Sequence, residues 1–66
     1  MSAEVLSQRE LDVVRFLDSR LTYAEIATRL YISVNTLKSH VKAVYRKLGA
    51  STRSQAVAAA RVRGLT

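Results

Sequence analysis

One sequence pattern occurs three times in this chain and predicts where three helices begin. In each copy an aliphatic residue precedes Ser or Thr, and a second aliphatic residue follows four places after the hydroxyl residue; the copies begin at Leu6, Leu21 and Ile32. The hydroxyl can accept a hydrogen bond from the first helical turn, while the two aliphatic side chains pack across that turn. Glu10 and Glu25 complete capping boxes in the first two copies. The spacing therefore predicts three amphipathic helices.

A fourth helix start and two helix ends complete the pattern. Thr52 with Gln55 has the residues of a capping box, but no large aliphatic pair accompanies it. Gly49 and Gly64 stand where a residue in the left-handed conformation commonly ends a helix. No segment alternates with period two, so we predict an all-α four-helix bundle without strands. The helices are expected at about 8–19, 23–30, 34–48 and 53–63.

The composition fits a single small domain. The 66 residues include no cysteine and can bury only a modest core, so we expect one domain over residues 1–66, with 1–5 as a flexible N-terminal segment. No segment approaches the ~20 apolar residues that cross a bilayer, and no apolar segment follows Met1 as in a secretory signal. A reducing, cytoplasmic location without membrane contact is therefore expected.

The charged residues are unevenly distributed along the chain. Residues 1–25 contain five carboxylates and three arginines, whereas residues 26–66 contain eight Lys and Arg residues and no carboxylate. An anionic partner should therefore meet the C-terminal part, and a nucleic-acid backbone is the most common such partner. The alternative is a solvated surface whose Lys and Arg residues only stabilise helix C-termini through the helix dipole.

The third predicted helix has an apolar face and an opposite basic face. At about 100° per residue, one arc contains the apolar residues: Val34, Leu37, Val41, Val44, Tyr45 and Leu48. The opposite stripe consists of Asn35, Lys38, Ser39, Lys42 and Arg46. No acidic residue is interleaved with this stripe, unlike an ordinary solvated helix face. Lys, Asn and Ser are also side chains that bind base edges, so the stripe predicts a DNA-contacting surface.

The connection between the second and third helices is short and contains no glycine. It consists of Tyr31, Ile32 and Ser33. Helix-turn-helix connections often contain Gly. Either one of these residues is strained, or the turn has another form.

Taken in order, these motifs resemble the LuxR-type helix-turn-helix family. The resemblance is carried by Leu6-Ser7, Arg9-Glu10, Glu25-Ile26-Ala27, Ile32-Ser33-Val34-Asn35-Thr36, Lys38-Ser39-His40, Arg46-Lys47-Leu48-Gly49 and Arg53. It implies a four-helix DNA-binding module, usually the C-terminal output domain of a bacterial transcription regulator, whose third helix enters the major groove. Because the chain starts shortly before its first cap, we expect an excised output domain or a minimal stand-alone regulator.

The resemblance also implies roles for individual residues. Base contacts are implied for Lys38, Ser39 and Lys42, to which the helical stripe adds Asn35. Phosphate contacts are implied for Ser33, Thr36, Arg46, Lys47, Thr22 and Tyr23. A homodimer contact is implied for the fourth helix, residues 53–63. Arg20, in the turn between the first two helices, departs from the family, which commonly has a small residue there.

Enzymatic and metal-binding functions have little support in the sequence. His40 is the only histidine, with no carboxylate in the same helix to orient it and no cysteine or second histidine to share a metal. There is no Gly-rich phosphate loop and no pair of carboxylates typical of a catalytic cleft, so we predict neither an enzyme nor a cofactor. The three tyrosines could stack on bases, but such residues more often pack in the core.

Two rival functions remain open from the sequence. The basic amphipathic helix at 34–48 could bind anionic lipid, although Trp or Phe usually marks the apolar side of such helices. Alternatively, the chain could be a helical protein-interaction module that docks an acidic partner such as RNA polymerase. Binding to anionic vesicles with loss of the bundle would favour the first rival, and failure to bind any duplex would favour the second.

Overall fold

A computed structural model describes residues 5–66, and this part of the chain folds into four helices without strands. They are α1 (Gln8–Leu17), α2 (Tyr23–Leu30), α3 (Val34–Leu48) and α4 (Arg53–Val62). α3 packs against each of the other three helices, and α1 also packs against α4. The all-α prediction is thereby confirmed. Of the N-terminal segment predicted to be flexible, residues 1–4 lie outside the described part of the chain.

The first two helices begin at the predicted residues because complete capping boxes fix them there. The Glu10 N–H donates to the Ser7 hydroxyl at 3.1 Å, and the Ser7 N–H donates to the Glu10 carboxylate at 2.9 Å. Thr22 and Glu25 form the same reciprocal pair, with distances of 3.2 and 2.8 Å. The bond from the Thr22 N–H lowers the pKa of Glu25. Two helix starts are therefore determined by local hydrogen bonds.

The third and fourth helices are capped by a hydroxyl alone. Ser33 accepts from the N–H of Thr36 at 3.0 Å, and Thr52 accepts from the N–H of Gln55 at 3.1 Å. The capping box predicted at Thr52 is only half formed, because the Gln55 side chain accepts from the N–H of Ser51 instead, at 2.8 Å. The helix start at Thr52 is nevertheless the predicted one.

The aliphatic residues before the first three caps pack onto the core. Leu6, Leu21 and Ile32 are half-buried against it, and their partners Ile26 and Leu37 are fully buried. The core itself consists of Val13, Val14, Leu17, Ile26, Ala27, Leu30, Leu37, Val41, Val44, Leu48, Ala56 and Ala60. Every helix contributes to it, so that the central helix α3 is held from three sides.

Tyr31 is the strained residue in the turn between α2 and α3. Its φ of 60° lies in the left-handed region, where Gly49 and Gly64 also lie with φ of 67° and 72°. At the end of α2, the N–H groups of Tyr31 and Ile32 return to the last turn of the helix at 3.2 and 3.0 Å, a Schellman arrangement. The Tyr31 side chain is 93% exposed, so packing of its ring does not offset the backbone strain.

The end of α1 falls two residues before the predicted one because other groups bind its last carbonyls. The Ser19 hydroxyl donates to the Phe16 carbonyl. The Arg53 guanidinium donates to the carbonyls of Leu17 and Ser19 at 3.0 Å each, and to that of Phe16 at 3.3 Å. These carbonyls are therefore satisfied without a further turn of helix. α4 ends at Val62, one residue before its predicted end.

The strain at Tyr31 can be tested with two matched substitutions. Tyr31→Gly and Tyr31→Ala both remove the exposed ring, but only Gly removes the Cβ that disfavours this φ. We expect the Gly variant to have a free energy of unfolding about 1 kcal/mol above that of the Ala variant in urea titrations. As a control, Gly49→Ala should lower the free energy of unfolding by about the same amount. Gly49 also has a positive φ, and no atom crowds the added Cβ, so the backbone strain alone is measured. Equal stabilities of the two Tyr31 variants would contradict the strain.

Candidate nucleic-acid interface

One face of α3 is exposed and carries the residues predicted to contact bases. These exposed residues are Asn35, Lys38, Ser39, Lys42 and Arg46. Their spacing of three and four residues places them along one strip of the helix, which we call the polar strip. The Ser39 hydroxyl donates back to the Asn35 carbonyl at 3.3 Å and so stays close to the helix. The opposite side of α3 lies in the core, which fixes the direction in which the strip points.

The polar strip is positively charged, and α3 itself contains no acidic residue. Residues 26–66 contain no carboxylate, and neither Lys38 nor Lys42 forms an ion pair with any residue from 5 to 66. The first turn of α3 also has no acidic residue, so nothing there compensates the partial positive charge of the helix N-terminus. This face should therefore attract a polyanion.

Three of the predicted phosphate-binding hydroxyls lie at helix N-termini. Ser33 caps α3 and donates its own proton to Oγ1 of Thr36 at 3.0 Å; both residues are exposed. Thr22 caps α2 and is also exposed. Helix N-termini offer N–H groups and positive potential to phosphate oxygens. The geometry thus places these hydroxyls where a phosphate could approach.

Tyr23 differs from the other predicted phosphate contacts because it is half-buried. Its hydroxyl oxygen lies 3.2 Å from that of Tyr45, and both rings pack against the core. Burial, and then the hydrogen bond with Tyr23, raises the pKa of Tyr45 to about 12. Tyr45 therefore lies on the apolar side of α3, as predicted, but its hydroxyl joins Tyr23 of α2.

Lys47 lies away from the polar strip and forms an internal ion pair. Its Nζ donates to Glu10 Oε1 at 2.8 Å and to the Val5 carbonyl at 3.2 Å, and its side chain is only 15% exposed. The bond from Lys47, and then that from the Ser7 N–H, lowers the pKa of Glu10. Lys47 thus ties α3 to α1, a geometry that does not support the predicted phosphate contact.

Arg53 has a structural role that the sequence did not predict. Besides binding the carbonyls at the end of α1, its guanidinium lies 5.8 Å from the centroid of the Tyr23 ring. A cation at the first position of a helix is unfavourable to the helix dipole. That unusual position was the one signal in the sequence that Arg53 has a tertiary partner. Through it, α4 contacts both the end of α1 and the start of α2.

Other kinds of site find no support within residues 5–66. No group of three or more His, Cys, Asp or Glu residues in this range could hold a metal ion. His40 is half-buried on α3. In the same range, no helix combines the length and apolar character needed to cross a bilayer.

Comparison with known families agrees with the four-helix geometry. The sequence matches the family described as GerE, bacterial regulatory proteins of the luxR family, over residues 4–60. The chain belongs to the luxR family. This confirms the resemblance drawn from the sequence motifs and identifies a LuxR-type helix-turn-helix domain.

Similar luxR-family proteins include short and long chains. The probable transcriptional regulatory protein NarL of Mycobacterium tuberculosis is 43% identical over 58 residues, which cover 88% of this chain and 27% of NarL. The spore germination protein GerE of Bacillus subtilis is 41% identical over 56 residues, which cover 85% of this chain and 76% of GerE. The chain thus spans about a quarter of the length of NarL and most of that of GerE.

A solved structure of a response regulator shows the same fold. The crystal structure of the response regulator ChrA, of a haem-sensing two-component system, superposes with a TM-score of 0.93 at 35% sequence identity. The match covers all of this chain and 33% of ChrA. The arrangement of four helices is therefore that of a domain found within a larger regulator.

The Glu10–Lys47 ion pair can be tested by its pH dependence. The pKa of Glu10 is below its ordinary value of 4.5 in the folded state, so its carboxylate stabilises the fold above that pH. This stabilisation is lost as the pH falls through the folded-state pKa. Lys47→Met keeps an unbranched side chain of similar length but removes the charge. It should lower the free energy of unfolding near pH 7 by about 1–2 kcal/mol.

Denaturant titrations near pH 7 and near pH 3 provide the measurement. The difference between Lys47→Met and the parent should shrink as the pH falls, because protonation of Glu10 removes the ion pair. Lys38→Met, on the exposed side of the same helix, should change stability little at either pH. A difference for Lys47→Met that is the same at both pH values would show that the ion pair does not cause it.

Proposed function

We propose that this luxR-family domain binds double-stranded DNA sequence-specifically and regulates transcription in the bacterial cytoplasm, with α3 in the major groove. The proposal is carried by the polar strip, whose exposed cations have no acidic neighbours on α3. The major groove, about 12 Å wide, admits an α-helix of about 10–12 Å diameter. Because the other side of α3 is buried, the strip enters such a groove as part of a rigid body.

The residues of the strip can contact bases through different hydrogen-bonding groups. Lys38 and Lys42 can donate to O6 and N7 of guanine, and Asn35 can pair bidentately with adenine. The Ser39 hydroxyl already donates to the helix backbone, which leaves its oxygen free to accept from an amino group of adenine or cytosine. Base contacts of these kinds supply the specificity of the complex.

The remaining predicted contacts fix the domain on the DNA backbone. Ser33, Thr36 and Thr22 supply hydroxyls near helix N-termini, Arg46 supplies a charge on the strip, and Tyr23 supplies a hydroxyl at the start of α2. Such contacts carry no sequence information but set the register of α3 in the groove. They should also make the observed binding strongly dependent on salt.

A protein-interaction module that docks an acidic partner such as RNA polymerase is the second candidate. The same basic strip supports it, since an acidic protein surface would also be attracted. The homodimer through α4 stays a prediction from the resemblance, as does a contact with RNA polymerase. Duplex binding separates the candidates, because an acidic-partner module need not bind DNA at all.

Selection of bound duplexes from a random pool at moderate salt tests the proposal. The best sequence is then titrated against a scrambled duplex. We expect an enriched motif that binds at least about tenfold more tightly than the scrambled sequence. Weak, salt-sensitive binding of every duplex alike would contradict specific recognition by the domain. No binding to any duplex would favour the protein-interaction module.

Two substitutions on the polar strip separate base contacts from phosphate contacts. Lys42→Ala should weaken binding to the selected site by about 1–3 kcal/mol and relax the preference at one base pair. Arg46→Ala should weaken selected and scrambled duplexes about equally and reduce the salt slope by about 0.9. Arg15→Ala, on the exposed side of α1, removes the same charge and should have little effect. Equal losses on both duplexes from Lys42→Ala and Arg46→Ala would contradict this division.

A further inference from the structure

The side-chain amines of this chain are confined to one helix. Its only three lysines, Lys38, Lys42 and Lys47, all lie on α3, whereas every basic residue on the other three helices is an arginine. An arginine side chain stays protonated, so it is not a nucleophile near neutral pH. A lysine amine becomes a nucleophile when it loses its proton, and its acylation removes the positive charge. Acylation of side-chain amines would therefore fall on the helix that carries the polar strip.

The three amines have two different environments. Lys38 and Lys42 are exposed, and neither forms a hydrogen bond or an ion pair within the described part of the chain. Lys47 is only 15% exposed and donates both to Glu10 Oε1 and to the Val5 carbonyl. Attack on an acyl carbon requires a free nitrogen lone pair and room for the reagent. The structure therefore predicts two amines that react and one, on the same helix, that is protected.

The fold would lose little if the exposed pair were acylated. Lys38 and Lys42 are four residues apart, so their like charges are neighbours on the helix surface and repel each other. Neither has an acidic partner on α3 that its neutralisation would leave unpaired. Acylation of Lys47, in contrast, would leave the Glu10 carboxylate, whose side chain is 10% exposed, without its cation. Only the exposed face of α3 can accept the modification without damage to the fold.

The charge of the polar strip favours an anionic acyl donor. No carboxylate on α3 neutralises the strip, so it raises the local concentration of anions. An acyl phosphate combines a phosphate group, which such a surface attracts, with an electrophilic carbonyl carbon. Its phosphate is also the leaving group. The charges that attract the reagent therefore bring its carbonyl carbon close to the two exposed amines.

We propose that Lys38 and Lys42 are acylation sites whose acyl donor is an acyl phosphate. The uncharged amine nitrogen forms a bond with the acyl carbon, and the bond between that carbon and the phosphate oxygen breaks. The bonding electron pair leaves with the phosphate, which takes up the proton released by the amine. The products are an amide and hydrogen phosphate, and each amide has one positive charge fewer than the lysine. The consequence for DNA rests on the proposed function: an acylated strip binds a duplex more weakly.

The modification is tested by treating the folded chain with acetyl phosphate and locating the acetyl groups by peptide mass spectrometry. Lys38 and Lys42 should be acetylated at least about tenfold faster than Lys47, whose hydrogen bonds must first break. Their acetylation should also slow as salt is raised, because salt screens the attraction of the anionic reagent. An uncharged active ester of acetate is the control reagent, and its reaction with the exposed pair should depend little on salt.

Glu10→Gln is the matched control variant for the protection of Lys47. It removes the charged partner, so acetylation of Lys47 should rise while that of Lys38 and Lys42 stays the same. Circular dichroism under the reaction conditions must show the native helix content, so that exposure by unfolding is excluded. Equal acetylation of all three lysines in the folded parent, or a rate with acetyl phosphate that does not depend on salt, would overturn the proposal.

Duplex titration of the acetylated protein tests the consequence for DNA. Protein acetylated at both Lys38 and Lys42 should bind the selected duplex at least about tenfold more weakly than the parent, and bound duplex should protect both amines. Undiminished binding would overturn this consequence. Selective acetylation of a parent that binds no duplex would uphold the modification sites and reject the proposed DNA binding. A parent that binds its selected duplex, but whose three lysines react alike, would reject the modification sites alone.

Discussion

The direction of α3 relative to α2 is set in a turn of three residues, and the proposed interface depends on that direction. On the α2 side, the N–H of Ile32 returns to the Ala27 carbonyl at 3.0 Å, and Tyr31 adopts the left-handed conformation that this bond requires. On the α3 side, Ser33 begins the new helix. Ile32 lies between these two and packs on the core. The turn therefore leaves α3 with little freedom to rotate, and the polar strip keeps its orientation.

The four helix starts could be predicted from the sequence because they depend on residues within one turn. Ser7, Thr22, Ser33 and Thr52 each cap the helix that was predicted to follow them. The end of α1 was predicted two residues too late. Its carbonyls are bound by Arg53, and no local pattern in the sequence shows a contact between residues so far apart. The strained turn residue was one of two alternatives that the sequence left open.

The candidate interface could be predicted only in part, because contacts between residues far apart in the sequence leave no local pattern. The polar strip follows from helical periodicity, and all five of its residues are exposed. Lys47 and Arg53 are cations in the same basic half of the chain, yet both bind groups in the N-terminal part of the protein. Arg61 likewise pairs with Asp18 at 2.8 Å. A count of charges cannot separate cations that hold the fold together from cations that face a ligand.

These internal contacts explain how a chain with a net charge of +6 can combine a stable fold with a basic surface. The acidic residues of the N-terminal part are used to hold the basic C-terminal part, through Glu10 with Lys47 and Asp18 with Arg61. Within α3, core residues from Leu37 to Leu48 anchor the helix along its length, and Tyr45 and Lys47 add polar contacts to α2 and α1. Of the residues proposed to contact bases, Asn35, Lys38 and Ser39 lie in its first half, and Lys42 lies just past its middle. On the exposed face of α3, neither Lys38 nor Lys42 forms an ion pair with any residue from 5 to 66, so both are available to a ligand while the opposite face holds the helix in the core.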